Sequence, residues 1–181
     1  MDSKQIRRQY LQALPKLNAA LQFVQDKLTN LPASDFAVEI NMKPYSSVQK
    51  KVVKDKLDNI LQMSDLVRGR VFFSKKYIFS DLLKLLKSLL GKTIKKADKK
   101  NTSEDGLEYC GIMHLDLLID GIKFELQLIP EEFKPYKELL HNIYEKIRSG
   151  GLSDKQKYLL RTINNKLYHT LDNKAKENRR S

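Results

Sequence analysis

Two apolar runs joined by Asp120-Gly121 constrain the fold of this chain more than any other stretch. A two-residue Asp-Gly connection between alternating runs is the strongest short-range signal of a β-hairpin, because the turn needs residues that tolerate a positive φ. The turn also fixes the register. The predicted cross-strand pairs are Ile119–Ile122, Leu117–Phe124, Asp116–Glu125, Leu115–Leu126 and His114–Gln127.

The register gives the predicted hairpin one apolar and one polar face, since side chains along a strand alternate sides. The apolar face carries Met113, Leu115, Leu117, Phe124, Leu126 and Leu128, and the polar face carries His114, Asp116, Lys123, Glu125 and Gln127. Asp116 and Glu125 are directly opposed, and like charges in that arrangement repel. The polar face is therefore either the solvated side of an antiparallel sheet or a site where Lys123 or a metal ion neutralises the two acids.

Composition limits the classes of protein that remain. A length of 181 residues predicts a single domain, 1–181, with a sizeable core, and 41% hydrophobic with 31% charged residues is typical of a globular chain. Lys and Arg number 34 against 22 Asp and Glu, a net charge of +12. This surplus favours a polyanionic partner without choosing among nucleotides, RNA, DNA and an anionic membrane. The single cysteine, Cys110, excludes an internal disulfide and a cysteine-based zinc site.

The start of the chain lacks the apolar segment of a secretory signal peptide, and no apolar run approaches the roughly 20 residues that span a bilayer. We therefore expect a cytoplasmic protein without a membrane span. Export by a machine that reads other signals, as for an effector, stays open.

Apolar periodicity and turn residues predict the remaining elements. They are helices over 4–29, from 46 or 47 to 63, 76–90, 131–149 and 153–172, and strands over 36–42, 66–73 and 92–94. A seam of apolar residues in the first helix is expected to pack on the domain or on a partner helix. Pro15 should either kink that helix or mark where its main part begins. A serine should cap the second helix, Ser153 the last, and the basic tail should fray.

Several enzyme classes are poorly supported. The chain contains three histidines, no Gly-x-Ser-x-Gly motif, no His or Cys pair at zinc-ligand spacing and no glycine-rich phosphate loop. The pattern that remains is a set of carboxylates, Asp65, Asp116 and Glu125, beside the cations Lys43, Lys51, Lys54, Arg68 and Arg70. Carboxylates that hold Mg²⁺, surrounded by Lys and Arg, suit phosphoryl transfer. Taken singly, each of these cations could also be a solvated surface residue.

Five motifs, in this order and spacing, resemble the synthetase domain of RelA/SpoT-type alarmone synthetases. They are Lys43-x₃-Ser47-x₃-Lys51-x₂-Lys54, Asp65-Leu-Val-Arg-Gly-Arg70-Val, Tyr109 with His114-Leu, Phe124-Glu125-Leu-Gln127-Leu, and the stripe Lys137, His141, Tyr144 and Arg148. The stripe is similar to divergent members found among toxins and mobile elements. The resemblance covers about residues 36–148, the expected synthetase-like core. Residues 1–30 form an N-terminal helical segment, and 153–181 form a C-terminal helix and basic tail.

The resemblance implies an α+β, nucleotidyltransferase-like fold. Its mixed, mainly antiparallel sheet has about five strands and flanking helices, with helical extensions at both ends. It also implies Mg²⁺-dependent transfer of pyrophosphate from ATP to a ribose 3′-hydroxyl. Asp65 matches a Mg²⁺-binding aspartate, and Glu125 matches a glutamate that acts as metal ligand or general base. ATP-side positions are Lys43, Ser47, Lys51, Lys54, Arg68 and Arg70, and acceptor-side positions are Tyr109, His114 and Gln127. Asp116 matches no motif and is either a further metal ligand or a spectator.

The departures from the family pattern fall mainly on the acceptor side. Cys110 and Ile129 stand where the family has arginines, Arg68 replaces a glycine, and one extra residue separates Tyr109 from His114. The expected acceptor is thus open among GDP or GTP, ADP or ATP, and the 3′ end of a tRNA. The alternatives are a catalytically degenerate fold that binds nucleotide, RNA or a protein, and a nonspecific RNA binder with strongly salt-dependent affinity. A homo-oligomer and an antitoxin or other protein partner are compatible with the sequence.

Overall fold

In a computed structural model, the structure describes residues 1–98, 107 and 111–179, apart from the side chain of Arg148. The helices are α1 (Ser3–Leu28), α2 (Tyr45–Lys54), α3 (Phe79–Leu90), α4 (Lys137–Arg148) and α5 (Asp154–Asn178). The strands are β1 (Phe36–Met42), β2 (Val67–Phe73), β3 (Ile94–Asp98), β4 (Met113–Ile119) and β5 (Ile122–Pro130). Short 3₁₀ turns cover Ile60–Gln62, Gly91–Thr93 and Glu131–Tyr136.

The five strands form one mixed sheet in the order β1-β2-β5-β4-β3, in which β2 and β5 are parallel and the other neighbours antiparallel. This confirms the predicted fold class. The β4–β5 hairpin has the predicted register, with Asp116 opposite Glu125 and Leu117 opposite Phe124. Asp120 and Gly121 have φ values of 48° and 81°, as a two-residue turn of this kind requires.

The main core lies between one face of the sheet and the first three helices. The strands contribute the predicted apolar hairpin residues, including Leu115, Phe124 and Leu126, and the helices contribute residues such as Leu17 and Leu86. All five are at most 1% exposed. Burial of such a continuous apolar surface is the main stabilising contribution to the fold.

On the opposite face of the sheet, the described helices cover one end. There, α4, α5 and the 3₁₀ turn before α4 pack on the sheet through a second cluster: Phe72, Ile112, Ile129, Phe133, Leu140, Tyr168 and Leu171. Next to this cluster the same face becomes polar, and that polar part contains the candidate site.

The second helix is shorter than predicted. It ends at Lys54, and Lys56 takes a positive φ of 50° that interrupts the helical path. Asn59 then accepts a hydrogen bond from the backbone N–H of Leu61, which fixes a 3₁₀ turn in place of a continuing helix. The predicted serine cap is also wrong, since Pro44 occupies the N-cap position without a side-chain hydrogen bond.

Other observed element boundaries also differ from the predicted ones. A 3₁₀ turn occupies the first six residues of the predicted helix 131–149, because Pro135 lacks the N–H that an α-helix interior needs. The third helix begins at Phe79 rather than at residue 76, and the strand predicted at 92–94 lies at Ile94–Asp98.

Of the two terminal helices, α1 has the predicted length of 26 residues, shifted by one position, and α5 is longer than its sequence pattern indicated. The helix α1 begins at Ser3, capped by Asp2, and continues through the exposed Pro15, so its main part does not begin there. The helix α5 has the predicted Ser153 cap but continues to Asn178, so the tail expected to fray is helical over residues 174–178. No helix in the described part of the chain is both long and apolar enough to cross a membrane.

Candidate active site

Polar side chains form two rows across the open part of the sheet. Strand register places the following residues side by side: Asn41, Arg68, Glu125, Asp116 and Lys96 in one row, and Glu39, Arg70, Gln127, His114 and Asp98 in the next. Each row combines acids and cations from strands that are far apart in sequence. The arrangement is therefore a product of the strand order, not of any single motif.

A hydrogen-bonded chain runs along the second row and ends at Glu125. Arg70 Nε donates to Gln127 Oε1 at 3.3 Å, and Gln127 Nε2 donates to Glu125 Oε1 at 2.8 Å. These two bonds fix the orientation of the Gln127 amide, because its oxygen faces a donor and its nitrogen faces an acceptor. The Glu125 carboxylate is thereby held in one position on the sheet.

The other end of this chain is anchored by Glu39. Its Oε2 lies 3.8 Å from Arg70 Nη1 and 2.6 Å from Lys137 Nζ at the start of α4. Burial lowers the pKa of the Arg70 guanidinium, and the neighbouring charge of Arg68 acts in the same direction. Glu39 acts in the opposite direction and helps to keep this half-buried cation compatible with its site.

His114 and Asp116 flank Glu125 from β4 but differ in exposure. His114 is buried, at 8% exposed, and its Nδ1 lies 3.7 Å from Glu125 Oε1. Asp116 is exposed and lies directly opposite Glu125, as the hairpin register predicted. In the same row Arg68 donates from Nε to Asn41 Oδ1 at 3.1 Å.

A second cluster, the donor cluster, consists of Lys43, Lys51 and Asp65. Lys43 Nζ donates to Asp65 Oδ2 at 2.7 Å, and Lys51 Nζ donates to Oδ1 at 2.8 Å. Burial acts to raise the pKa of Asp65, but the hydrogen bonds and charges of the two lysines outweigh it and hold that pKa below its ordinary value. Asp65 is therefore a carboxylate with two cations around it.

Local structure explains how the donor cluster forms. Lys43 follows β1 and Asp65 precedes its partner β2, so the two residues meet at one end of the sheet, where Lys43 N donates to Leu66 O at 2.8 Å. Lys51 reaches Asp65 from the last turn of α2. Of the other predicted ATP-side residues, Ser47 is half-buried in the first turn of α2 and Lys54 is exposed at its end.

The donor cluster and Glu125 lie near each other, because both are next to the first residues of β2. Asp65 precedes Arg68 by three residues, at most about 11 Å of chain, and Arg68 neighbours Glu125 in the register. Within residues 1–98, 107 and 111–179, no three His, Cys, Asp or Glu side chains converge as a ready metal site. Mg²⁺ requires less than that, since it uses one or two carboxylates together with phosphate oxygens and water. The residues present fit such an ion.

Some site residues were missed, and some predictions cannot be placed. Glu39 and Asn41 were not predicted, although the alternation of β1 put both on one face. Tyr168, whose interaction acts to raise the pKa of Arg70, was also missed, because it comes from a helix that carries no motif. Tyr168 is 6% exposed and its ring lies 5.7 Å from that of Phe133. Tyr109, Cys110, the Arg148 side chain and residues 99–106 and 108 lie outside the described residues.

Comparisons with known proteins identify the fold. No protein-family model and no curated protein matches the sequence. Among solved structures, small alarmone synthetase 1 from Bacillus subtilis is 20% identical over 97% of this chain and 96% of that one, with a TM-score of 0.59. Its complex with its product pppGpp gives 18% identity, 94% and 95% coverage and a TM-score of 0.66. Its complex with AMPCPP is 15% identical over 97% of this chain and 96% of that one, with a TM-score of 0.57.

The chain therefore has the fold of the small alarmone synthetases, in agreement with the resemblance of its motifs. At these identities the likeness concerns the fold alone. The activity must be argued from the site itself.

Proposed function

We propose that this protein is a Mg²⁺-dependent pyrophosphokinase. It would transfer pyrophosphate from ATP to the ribose 3′-hydroxyl of a nucleotide, as in alarmone synthesis, or of an RNA. The observation that carries the proposal is the proximity on β2 of two groups: the donor cluster at the strand's start, and Glu125 beside Arg68. A solved structure with this fold holds AMPCPP, an ATP analogue, and another holds the product pppGpp, which supports the same class of reaction.

On the donor side, the cations have the arrangement that a triphosphate requires. Lys43 and Lys51 lie on either side of Asp65, and Arg68 and Arg70 follow on the adjoining strand. We assign these residues, with Ser47 and Lys54 of α2, to ATP binding. Asp65 and Glu125, with Asp116 as a third candidate, would hold Mg²⁺, which neutralises phosphate oxygens when it is bound.

The transfer itself needs a proton acceptor at the attacking hydroxyl. The ribose 3′-oxygen forms a bond to the β-phosphorus of ATP, the bond from that phosphorus to the α–β bridging oxygen breaks, and AMP leaves. Glu125 is the candidate base for the hydroxyl proton, with metal ligation as its alternative role. Gln127 and Arg70 keep its carboxylate oriented toward the open face.

Among the described residues, fewer side chains are available for binding the acceptor than for binding ATP. Gln127 is hydrogen-bonded to Arg70 and Glu125, and the buried His114 lies with its Nδ1 3.7 Å from Glu125 Oε1. We therefore assign both to holding the base as well as to acceptor contact. Tyr109 remains a candidate for base stacking. The acceptor stays open between a free nucleotide and a tRNA 3′ end.

The decisive experiment measures AMP released from ATP by the purified protein with Mg²⁺ and a panel of acceptors: GDP, GTP, ADP, ATP and tRNA. We expect release with at least one of them. Glu125→Gln should lower turnover by about 10²- to 10⁴-fold. Unchanged binding of AMPCPP with Mg²⁺ in this variant would indicate the role of base, and weaker binding would indicate metal ligation. Absence of AMP with every acceptor, in a sample shown to be folded, would refute the enzymatic proposal.

One observation favours a second candidate, a fold that binds nucleotide or RNA without catalysis. Ile129 occupies an expected arginine position, and it is 5% exposed in the cluster formed with Phe72 and Tyr168. That position is thus part of the core and offers no cation to an acceptor. AMPCPP binding without turnover on any acceptor would support this candidate.

A further inference from the structure

The first ten residues of α1 contact both segments that carry the donor cluster. The Gln9 side chain accepts a hydrogen bond from Ile60 N–H at 3.0 Å and donates to Asp58 O at 3.4 Å. Ile60 is fully buried. One amide therefore holds the connection between α2 and β2, five residues before Asp65.

Tyr10, the next residue, contacts the other segment. Its hydroxyl lies 3.3 Å from Lys43 O and 3.3 Å from Met42 Sδ, and its ring centre lies 5.4 Å from that of Tyr45. Adjacent side chains of one helix thus reach the backbone at Lys43 and the backbone before Asp65.

The start of α1 adds two contacts to α2. Tyr45 donates from its hydroxyl to Ser3 O at 3.2 Å, and Gln49 Nε2 donates to Ser3 Oγ at 2.9 Å. These contacts hold the helix that supplies Lys51. All three members of the donor cluster therefore lie on segments that α1 contacts directly.

This common support matters because the connection between Lys54 and Asp65 has little structure of its own. It contains a positive φ at Lys56 and a single 3₁₀ turn. The Lys43–Asp65 contact of 2.7 Å joins residues 22 positions apart. A hydrogen bond between such segments depends on whatever fixes both of them.

We propose that Gln9 and Tyr10 are positioning residues for the donor site: they set the spacing between Lys43 and Asp65 and thereby the affinity for the triphosphate. The identity of that ligand rests on the proposed function. The spacing itself rests only on the contacts described above.

The main test compares two glutamines of the same helix. Gln9→Ala removes the contacts to Asp58 and Ile60, whereas Gln22→Ala removes only a 2.7 Å bond to Asp26 within the exposed side of α1. Titration calorimetry with AMPCPP and Mg²⁺ should give about three- to tenfold weaker binding for Gln9→Ala and no change for Gln22→Ala. Gln9→Glu keeps an acceptor for Ile60 N–H and should recover part of the loss.

Tyr10→Phe provides an independent variant in case Gln9→Ala folds poorly. It keeps the ring against Tyr45 and removes only the hydroxyl, and Tyr158→Phe, at a residue 71% exposed, is its control. We expect weaker AMPCPP binding for the first variant only. Affinity for the acceptor should be unchanged in both, which separates positioning of the donor site from a general loss of folded protein.

Hydrogen exchange supplies a readout that needs no ligand. The amide of Lys43 is bonded to Leu66 O, so its exchange should become faster in Gln9→Ala and stay unchanged in Gln22→Ala. Normal AMPCPP affinity and normal exchange at Lys43 in both Gln9→Ala and Tyr10→Phe would overturn the inference. Wild-type protein that fails to bind AMPCPP, yet shows exchange at Lys43 that depends on Gln9, would instead overturn the proposed function and leave the positioning role supported.

Discussion

At the scale of single residues, Asp65 shows how neighbours decide the chemistry of a side chain. Both of its oxygens accept hydrogen bonds from lysines, and its pKa lies below the ordinary value of 3.8 because those lysines outweigh the effect of burial. Since the unfolded chain then binds the proton more tightly than the folded one, ionised Asp65 stabilises the fold.

Asp65→Asn should therefore destabilise the protein in a pH-dependent manner. We expect a loss of about 1–3 kcal/mol in the free energy of unfolding at pH 7, where two charged hydrogen bonds are weakened. The difference from wild type should be complete above the ordinary pKa of 3.8 and should be lost as the pH falls from 3.8 through the lower pKa that Asp65 has in the folded protein. Urea unfolding of both proteins, at pH 7 and at a series of pH values below 3.8, measures this decline in the free-energy difference.

Asp81→Asn is the control for this prediction. Asp81 lies 3.6 Å from Lys84, but their side chains are 57% and 81% exposed. A pair this exposed contributes little, so we expect a change of at most about 0.5 kcal/mol. Equal effects of the two substitutions would mean that the lysines do not hold Asp65 as described.

At the scale of elements, the β4–β5 hairpin combines local turn chemistry with a central place in the sheet. Asp120 and Gly121 both have positive φ, and a Cβ at Gly121 would meet no atom within 4 Å. The requirement for glycine there is thus conformational and not steric. The same turn aligns Glu125 with Asp116, so a local turn determines which side chains meet in the candidate site.

Gly121→Ala should cost about 1 kcal/mol of folding free energy, because alanine is strained at a φ of +81°. Gly121→Asn should cost less, since asparagine tolerates the left-handed region better than alanine. Thermal unfolding of the two variants gives the ranking. A larger loss for asparagine than for alanine would contradict a conformational origin.

Predictions for the elements were good where the deciding interactions are local. The hairpin register, β1 and the Ser153 cap follow from turn residues, alternation and a capping pattern within a few positions. The helix predicted to reach Met63 failed because Ile60 and Leu61 have helical spacing but pack on the core from a 3₁₀ turn. The spacing of apolar residues thus indicates which residues are buried, but buried residues at helical spacing can also belong to a 3₁₀ turn.

At the scale of the whole molecule, the C-terminal end of α5 packs against the end of β2, the start of α3 and the 3₁₀ turn before α4. The Arg179 guanidinium lies 5.4 Å from the ring centre of Phe73 and 5.7 Å from that of Phe79, and Asn178 Nδ2 donates to Glu132 Oε1 at 2.9 Å. Burial lowers the pKa of Arg179, while the charge of Glu132 raises it. The basic end of the described chain is thus part of the packed structure.

Arg179→Ala should lower the stability of the protein by about 1 kcal/mol, through lost cation–π and stem contacts. Lys174→Ala, at an exposed position of the same helix, should have little effect. The melting temperatures of both variants test this, at a salt concentration high enough to screen general charge effects. If Arg179→Ala and wild type had equal melting temperatures, the contacts of Arg179 would not stabilise the protein, and the tail would be frayed, as its sequence predicts.

The sequence by itself determined the hairpin, its two faces and the residue types that suit phosphoryl transfer. The turn and the faces depend on conformations and alternation over a few neighbouring positions, and the residue types depend on composition and charge. The mixed α+β class was expected from the resemblance of the motifs to a known family. Only the tertiary structure decided that Lys43 and Lys51 share Asp65, and that Glu39 reaches Glu125 through Arg70 and Gln127. Those contacts depend on placing β2 between β1 and β5, a choice made by packing the whole chain.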